Sequence, residues 1–529
     1  MTDAVPVRLR LRVDGRVLEA EAGQTVAAAL ANAGIDACRV SAGGERRGPL
    51  CAMGICWECR VTIDGEPHVR ACMTAAREGM AIETGAPPSA SRPAPSVSRV
   101  EPLLCDVAVV GGGPAGVAAA CRAAEAGASA ILLDENAAAG GQIYRRRAGE
   151  APPAAFAGWI ARLERSGARV LSAAAVYDAF PRPGGFRLFA RMADRIAAVS
   201  AARVVLATGA RERFLPFPGW TLPGVMGAAG AQAMWKSGTR LAGRAAVGAG
   251  TGPLLLAAAA SLAKAGARLE IVAEQAPVRA LAAFALRLAA HPRRLLEAAR
   301  YRATCVETPY VPGWWIAEAR GAGRLESVVL TDGVQTMEVP CELAAVGWGL
   351  VPNRELPLLF GCATNGQAVA VDDSQRSSVP GVFCAGETCG VAGVEVALAE
   401  GEIAGAAAAG AAEVAHRLRR ARESGRRLAR GMDRAFALRP ELRALAGPDT
   451  IVCRCEDAAR GPIAACADAR EAKLVTRAGM GPCQGRVCGP ALQFLFGWDS
   501  DTVRPPVQPA SLGELAAAAP DSREEGETA

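Results

Sequence analysis

Histidine is almost missing from this chain: three residues in 529, His68, His291 and His416. No two are neighbours, which excludes a Rieske-type centre, and the usual proton-moving side chain is too scarce to build a catalytic site around. Aromatic residues make up only 5% and never alternate with basic ones in a stripe, so the net charge of +6 makes no case for nucleic acid as a partner. Long apolar runs are absent too. The longest, PLLLAAAASLA from Pro253 to Ala263, is too short to span a bilayer and reads as a buried helix. The start, MTDAVPVRLRLRV, has neither the apolar core nor the cleavage site of a secretory signal. A cytoplasmic, reducing location is expected, peripheral at most to the inner membrane, where clustered cysteines mean metal or catalysis rather than disulfides.

Cysteine, by contrast, is plentiful. Of seventeen, eight form two tight groups near opposite ends: Cys51, Cys56, Cys59 and Cys72, then Cys453, Cys455, Cys483 and Cys488. The first group reads C-x4-C-x2-C with a fourth cysteine after twelve residues, the plant-type ferredoxin spacing. One loop then supplies three thiolates to a [2Fe-2S] cluster and a strand beyond supplies the fourth. Gly54 in that loop lets backbone N–H groups approach the sulfides. Zinc also takes four thiolates, but its sites usually pair cysteines as C-x2-C twice. The second group reads C-x-C, 27 residues, then C-x4-C, among Gly479, Gly481, Gly485 and Gly489. A second [2Fe-2S] cluster is the preferred reading there, with zinc or unligated thiols as alternatives. The other nine cysteines lack partners at ligand spacing; Cys105, Cys121 and Cys384 read as small buried apolar residues.

Between the two groups lies CDVAVVGGGPAG, a hydrophobic strand running into a helix. Gly111 permits the tight turn, Gly113 lets a pyrophosphate approach the helix N-terminus, Pro114 and Ala115 open the helix, and Gly116 allows close packing on the sheet. Asp134 ends the next strand about 20 residues on, where a carboxylate binds ribose hydroxyls, with Glu135 a weaker candidate. Gly141 and Gln142 follow in GGQIYR. Ala207-Thr208-Gly209 and, later, Gly386-Glu387 after the strand Val382–Cys384 resemble the ATG and terminal G-D motifs of FAD-dependent pyridine nucleotide reductases, with Glu387 where that family has Asp. FAD is the expected cofactor. The cysteine pairs of disulfide reductases are absent, since GGQIYRRRAGEAPP contains none and residues 220 to 345 hold no C-x2-C, so disulfide reduction is not expected.

The fingerprint has an internal echo. RAAVGAGTGPLL places Gly250 and Gly252 as its first two glycines, Leu255 where the third should be, and Glu274 at the end of the next strand. Leucine there should push the helix off the sheet. The site then binds NAD(P) loosely, binds another adenine nucleotide such as ATP, or is a relic; the last two readings are favoured.

These signals divide the chain. Alternating Val7, Leu9, Leu11 and Val13, a turn at Asp14-Gly15, a return strand Val17–Ala22 and a helix Val26–Ala33 capped by Thr25 begin a β-grasp module over residues 1–86. A Pro/Ser-rich linker follows (87–103), and the strand Cys105–Val110 opens the FAD-binding domain, 104–215 with 345–412, around the second nucleotide domain, 216–344. Residues 413–445 form a basic, solvated connector with Val414, Leu418 and Ala421 on one face, 446–495 a C-terminal cluster domain, and 496–529 an extended tail fading into disorder. The fold class is therefore α/β multidomain: a β-grasp ferredoxin-like domain, a two-dinucleotide Rossmann-like core and a small C-terminal domain.

Taken together, RGPLCAMGICWECRVTIDGEPHVRACMT, GGGPAG, GGQIYR and GMGPCQGRVCGP resemble the small and large flavin-side subunits of hydrogen cyanide synthase fused into one chain. The same parts occur in the α subunits of opine oxidase, D-hydroxyproline dehydrogenase and sarcosine oxidase-like or proline dehydrogenase complexes, and the C-terminal segment resembles the bacterioferritin-associated-ferredoxin module. That resemblance implies an electron-transferring α subunit. The amine would be oxidised on a β subunit of the D-amino-acid-oxidase-like FAD family, and electrons would leave through FAD and the clusters to a quinone or other acceptor. No catalytic acid or base is expected in this chain. A stand-alone NAD(P)H-dependent reductase and a non-catalytic scaffold are the rival readings.

Overall fold

The computed structural model describes residues 7–85, 99–147, 149–411, 416–499 and 502–518. Strands Arg8–Val13 and Arg16–Glu21 pair antiparallel. Asp14 and Gly15 between them both have positive φ, 47° and 81°, the turn geometry that strand twist favours. Strand Ala81–Glu83 lies parallel to the first and antiparallel to Arg60–Ile63, and Glu66–Arg70 completes a five-stranded sheet. The helix Val26–Asn32 starts at Thr25, whose hydroxyl accepts from the Ala28 N–H, and buries Val26 through Leu30.

Two parallel-sheet units follow. The larger sheet centres on strands Arg99–Val110 and Arg195–Leu206, with Ala130–Leu133, Arg169–Leu171 and Val382–Cys384 also parallel and a hairpin, Ala175–Arg182 with Gly185–Arg191, at its side. Its central strand begins at Arg99, six residues before the expected Cys105. The pairing of Arg99–Leu104 with Arg195–Ser200 leaves that half largely solvent-facing, so its polar, proline-containing sequence reads as linker. Residues 87–98 of the expected linker, with residue 86 before them, lie outside the described residues. The smaller sheet runs Val225–Gly227, Leu343–Gly347, Ala245–Gly250, Arg268–Glu274, Tyr310–Pro312, all parallel. Between the units, Ala210–Glu212 and Leu350–Pro352 pair antiparallel as a two-stranded connection.

The cysteine module is joined to this core rather than tethered to it. The N–H of Gly227 donates to the Leu50 carbonyl at 2.9 Å, and a Cβ on Gly230 would overlap that same carbonyl. One apolar cluster runs continuously from Leu11 and Leu30 through the first cysteines to Trp220, Val247 and Val487.

Two expectations need correction. The basic helix, His416–Ala435, is not simply solvated: Arg426 reaches the buried Glu400 at 2.6 Å, Arg422 reaches Asp373, and Gly425 sits where any Cβ would strike Val396. Its packed face runs through Leu418, Arg422, Gly425 and Ala429, while Ala421 is exposed and Val414 lies outside the described residues. Reading only apolar residues hid this face, because an arginine paired to a buried carboxylate fills a core position. Of the expected tail, 496–529, residues 519–529 lie outside the described residues, and the described part before them packs on the core. Residues 502–518 return to the larger sheet, the Val507 N–H donating to the Tyr177 carbonyl at 2.8 Å and the Tyr177 hydroxyl to the Glu514 carbonyl at 2.9 Å. Val507 and Ala518 are buried there, and too few apolar residues mark the segment for composition to reveal it.

Candidate functional site

A cleft opens at the carboxyl ends of the larger sheet, where an open α/β fold places its ligand. Its walls include Gly111, Gly113, Pro114, Ala115, Asp134, Glu135, Gly141, Gln142, Thr208, Gly209 and Glu387. Gly116 and Gly386 stand just behind. A Cβ on Gly116 would overlap the Gly111 carbonyl oxygen, and one on Gly386 would press on Ala115, so both glycines act by close packing. Gly111, with φ 107°, has the same role against Ala207. Thr208 is locked by Asn353: its hydroxyl donates to the Asn353 carbonyl at 2.7 Å, and the Asn353 amide donates to the Thr208 carbonyl at 2.8 Å.

One buried carboxylate oxygen in these walls has no hydrogen-bond partner, Asp134 Oδ2, while Glu135 Oε2 faces the Arg70 guanidinium at 3.7 Å. An unpaired acceptor at the end of the second strand is what a ribose hydroxyl satisfies. Burial pushes the Asp134 carboxyl up to about 6, against the opposing hydrogen bonds from Asn136. Only the ionised form is a full acceptor, so FAD affinity should fall as pH drops below about 6, approaching tenfold per pH unit. A titration of the apoprotein with FAD at pH 5 and pH 7.5 measures this. Asp134→Asn should bind FAD more weakly and lose the pH dependence; a wild-type affinity flat across that range would contradict the assignment.

The first four cysteines are all buried and come together two by two. Cys51 Sγ lies 3.2 Å from Cys56 Sγ and accepts from the N–H groups of Met53 and Cys56; Cys59 Sγ pairs with Cys72 and accepts its N–H. Hydrogen bonding from Cys59 holds the Cys72 thiol below its ordinary range. Among the described residues no three His, Cys, Asp or Glu side chains converge on a single metal ion. Two pairs of thiols fit a binuclear cluster with two protein ligands on each iron. In the second group the Cys453 thiol hydrogen-bonds with Cys488 and the Cys483 thiol with Cys455, and in each pair this bond holds one thiol, Cys453 or Cys483, below its ordinary range.

Both cysteine loops reach the cleft. Ile55, beside Cys56, and Arg486, between Cys483 and Cys488, are wall residues. The loops also meet each other. Glu58, between Cys56 and Cys59, takes Arg39 at 2.9 Å and Arg454, between Cys453 and Cys455, at 3.2 Å, with all three side chains less than 10% exposed. Arg454 further donates to the Trp220 carbonyl at 2.6 Å and lies over its ring. Charges of opposite sign inside two cysteine motifs are visible in the sequence; that they form one buried cluster is not. The sequence also leaves unpaired a thiol that has a partner, Cys384, which stays a free thiol hydrogen-bonded to that of Cys362.

The second repeat is arranged differently. Glu274 is buried, with its carboxylate accepting from the Thr251 hydroxyl and the N–H groups of Gly252 and Ala276 at 2.8, 2.8 and 2.9 Å. Burial pushes its carboxyl up to about 7. Gly250 makes the same tight turn as Gly111, against Gly347. Leu255 is buried among Ala228, Ala258 and Val272, opposite Gly248, so small neighbours accommodate the missing glycine. Gln275 donates to the Ala437 carbonyl and Phe436 stands over Gly252, bringing the chain's own later segment to the mouth of this loop.

Residues 7–87 match the 2Fe-2S iron-sulfur cluster binding domain family, and residues 105–409 match the pyridine nucleotide-disulphide oxidoreductase family. Hydrogen cyanide synthase subunit HcnB of Pseudomonas aeruginosa is 33% identical over 441 residues, 75% of this chain and 92% of that one. An opine oxidase subunit from Rhizobium meliloti is 30% identical over 463 residues, covering 78% of this chain and 87% of its own. The solved structure of L-proline dehydrogenase from P. horikoshii superposes with a TM-score of 0.70 over 97% of this chain and 98% of that one; at 20% identity this is a likeness of fold. The matches agree with the geometry of the cleft and the first thiol pairs: the chain is an FAD-dependent oxidoreductase with an N-terminal [2Fe-2S] domain, and it belongs to the pyridine nucleotide-disulphide oxidoreductase family alongside HcnB and its opine oxidase counterpart.

Proposed function

We propose that this chain is the electron-transferring subunit of a heteromeric amino-acid or secondary-amine dehydrogenase, of the proline, hydroxyproline, sarcosine, opine or glycine class. The observation that carries it is that both cysteine loops, through Ile55 and Arg486, form part of the wall of the FAD cleft. Bound there, FAD would exchange the paired electrons of an amine oxidation for the single electrons that [2Fe-2S] clusters carry. The chain's own residues do the placing. Gly111, Gly113 and the following helix receive the pyrophosphate, Asp134 and Glu135 the ribose, and the Glu58–Arg454 contact fixes one cysteine loop against the other.

The C-terminal quartet holds the second cluster in this reading, supported by its thiol pairing. The amine is oxidised on a separate flavoprotein subunit of the D-amino-acid-oxidase-like family, and a quinone or other acceptor takes the electrons, which would bring the complex to the inner membrane surface without a span. Among the described residues no helix is long and apolar enough to cross a membrane. The rival nicotinamide-driven reductase is the weaker reading. Glu274 is already engaged by its own loop, and ATP or another adenine nucleotide at Gly250–Glu274 would have to displace those bonds.

The test is the metal content of the anaerobically purified chain. Two clusters give about four iron and four sulfide per FAD. About two of each, with zinc in the remainder, would overturn the second cluster while leaving the first.

A further inference from the structure

The family match to the flavin domain ends at residue 409, yet the cleft has two wall residues about a hundred positions later, Val507 and Gln508. The segment that carries them is held at several points. Val507 donates its N–H to Tyr177, the Gln484 amide donates to the Pro506 carbonyl at 3.2 Å, Arg486 donates to the Val507 carbonyl, and Arg191 pairs with Glu514. Its position along the cleft follows from neighbours. Asp134 marks the ribose; the Ala174 N–H donates to the Asp134 carbonyl at 2.8 Å, and Ala174 and Val176 line the cleft on that side. Val507 packs with Ala174 and Val176 in one apolar cluster. The arm therefore stands beyond the ribose, away from the pyrophosphate loop at Gly111–Gly116.

In that place Gln508 has a fully buried Oε1 with no hydrogen-bond partner. A buried, unpaired amide oxygen is destabilising unless a donor arrives. We propose that the C-terminal arm is part of the cofactor site and that Gln508 recognises the adenine of FAD. Its Oε1 accepts from the exocyclic N6 amino group and its Nε2–H donates to ring N7, the bidentate pairing that glutamine makes with adenine. Val176 and Val507 supply apolar surface for the ring. Because Gln484 and Arg486 belong to the Cys483–Cys488 loop, the same contacts join the adenine end of the site to the second cysteine module.

The probe is a pair of nucleotides, FAD and 1,N6-etheno-FAD, in which N6 is tied into a bridge to N1 and can no longer donate. Wild-type apoprotein should bind FAD roughly tenfold more tightly than the etheno analogue, and Gln508→Leu should lose that preference by weakening FAD alone, roughly tenfold. The ratio is read within each protein, so a loss of fold that weakens both nucleotides does not imitate the result. Gln508→Glu, which keeps the size and loses the donor, should also reduce the preference and serves if the leucine variant does not fold. Wild-type protein that binds the two equally, or a Gln508→Leu variant that keeps the wild-type ratio, would overturn the proposal.

Discussion

Arg454→Met is expected to destabilise both cysteine modules by about 3–5 kcal/mol, because it removes one partner of a buried ion pair and leaves the other in place. Glu58 and Arg454 are 1% and 2% exposed, and Arg39 alone would remain to balance the carboxylate. The guanidinium also satisfies the Trp220 carbonyl, which would be left without its donor. In a calorimetric scan the earliest transition should move to lower temperature, and the iron that the purified protein retains should fall by more than half. Glu58→Gln added to Arg454→Met should not restore the loss, since it leaves the Arg39 guanidinium, 9% exposed, without its carboxylate partner. A single variant with unchanged melting and iron would show that the two loops are held together by apolar packing alone.

Gly116→Ala is the second large effect. A single methyl there meets the Gly111 carbonyl oxygen, with the Ala207 Cβ only 3.4 Å away, so the helix Pro114–Glu125 must withdraw from the strand that carries the pyrophosphate turn. Overpacking of this kind costs about 1–3 kcal/mol, which appears as a ten- to hundredfold weaker FAD complex if the loop yields. Gly158→Ala is the matched control. It lies inside the helix Ala154–Ser166 with open space around it, and should leave flavin content unchanged or raise stability slightly. The chain itself shows how such a methyl is tolerated elsewhere: Leu255 fills the equivalent place in the second repeat, where Gly248 and Ala258 make room.

What was legible in the sequence was local and periodic. The Asp14-Gly15 turn, the Thr25 cap, the glycine turn before Pro114 and the spacing of the first four cysteines each depend on a few adjacent residues, and each appears where expected. What stayed hidden depends on residues far apart in the chain. Ile55, Arg486 and Gln508 meet at one cleft although more than 450 positions separate the first and last of them. Arg426 looks like one more surface charge on a basic helix until the fold supplies Glu400. The start of the central strand at Arg99 was obscured because half of it faces solvent and carries Pro102.

An anaerobic reductive titration, followed by flavin absorbance and low-temperature electron paramagnetic resonance, addresses the relay directly. The account predicts that neither NADH nor NADPH changes the flavin absorbance, whereas dithionite reduces the flavin and two distinct [2Fe-2S] signals appear. Rapid bleaching by either nicotinamide nucleotide, with those same signals, would make the chain a self-sufficient reductase and contradict its dependence on an amine-oxidising partner.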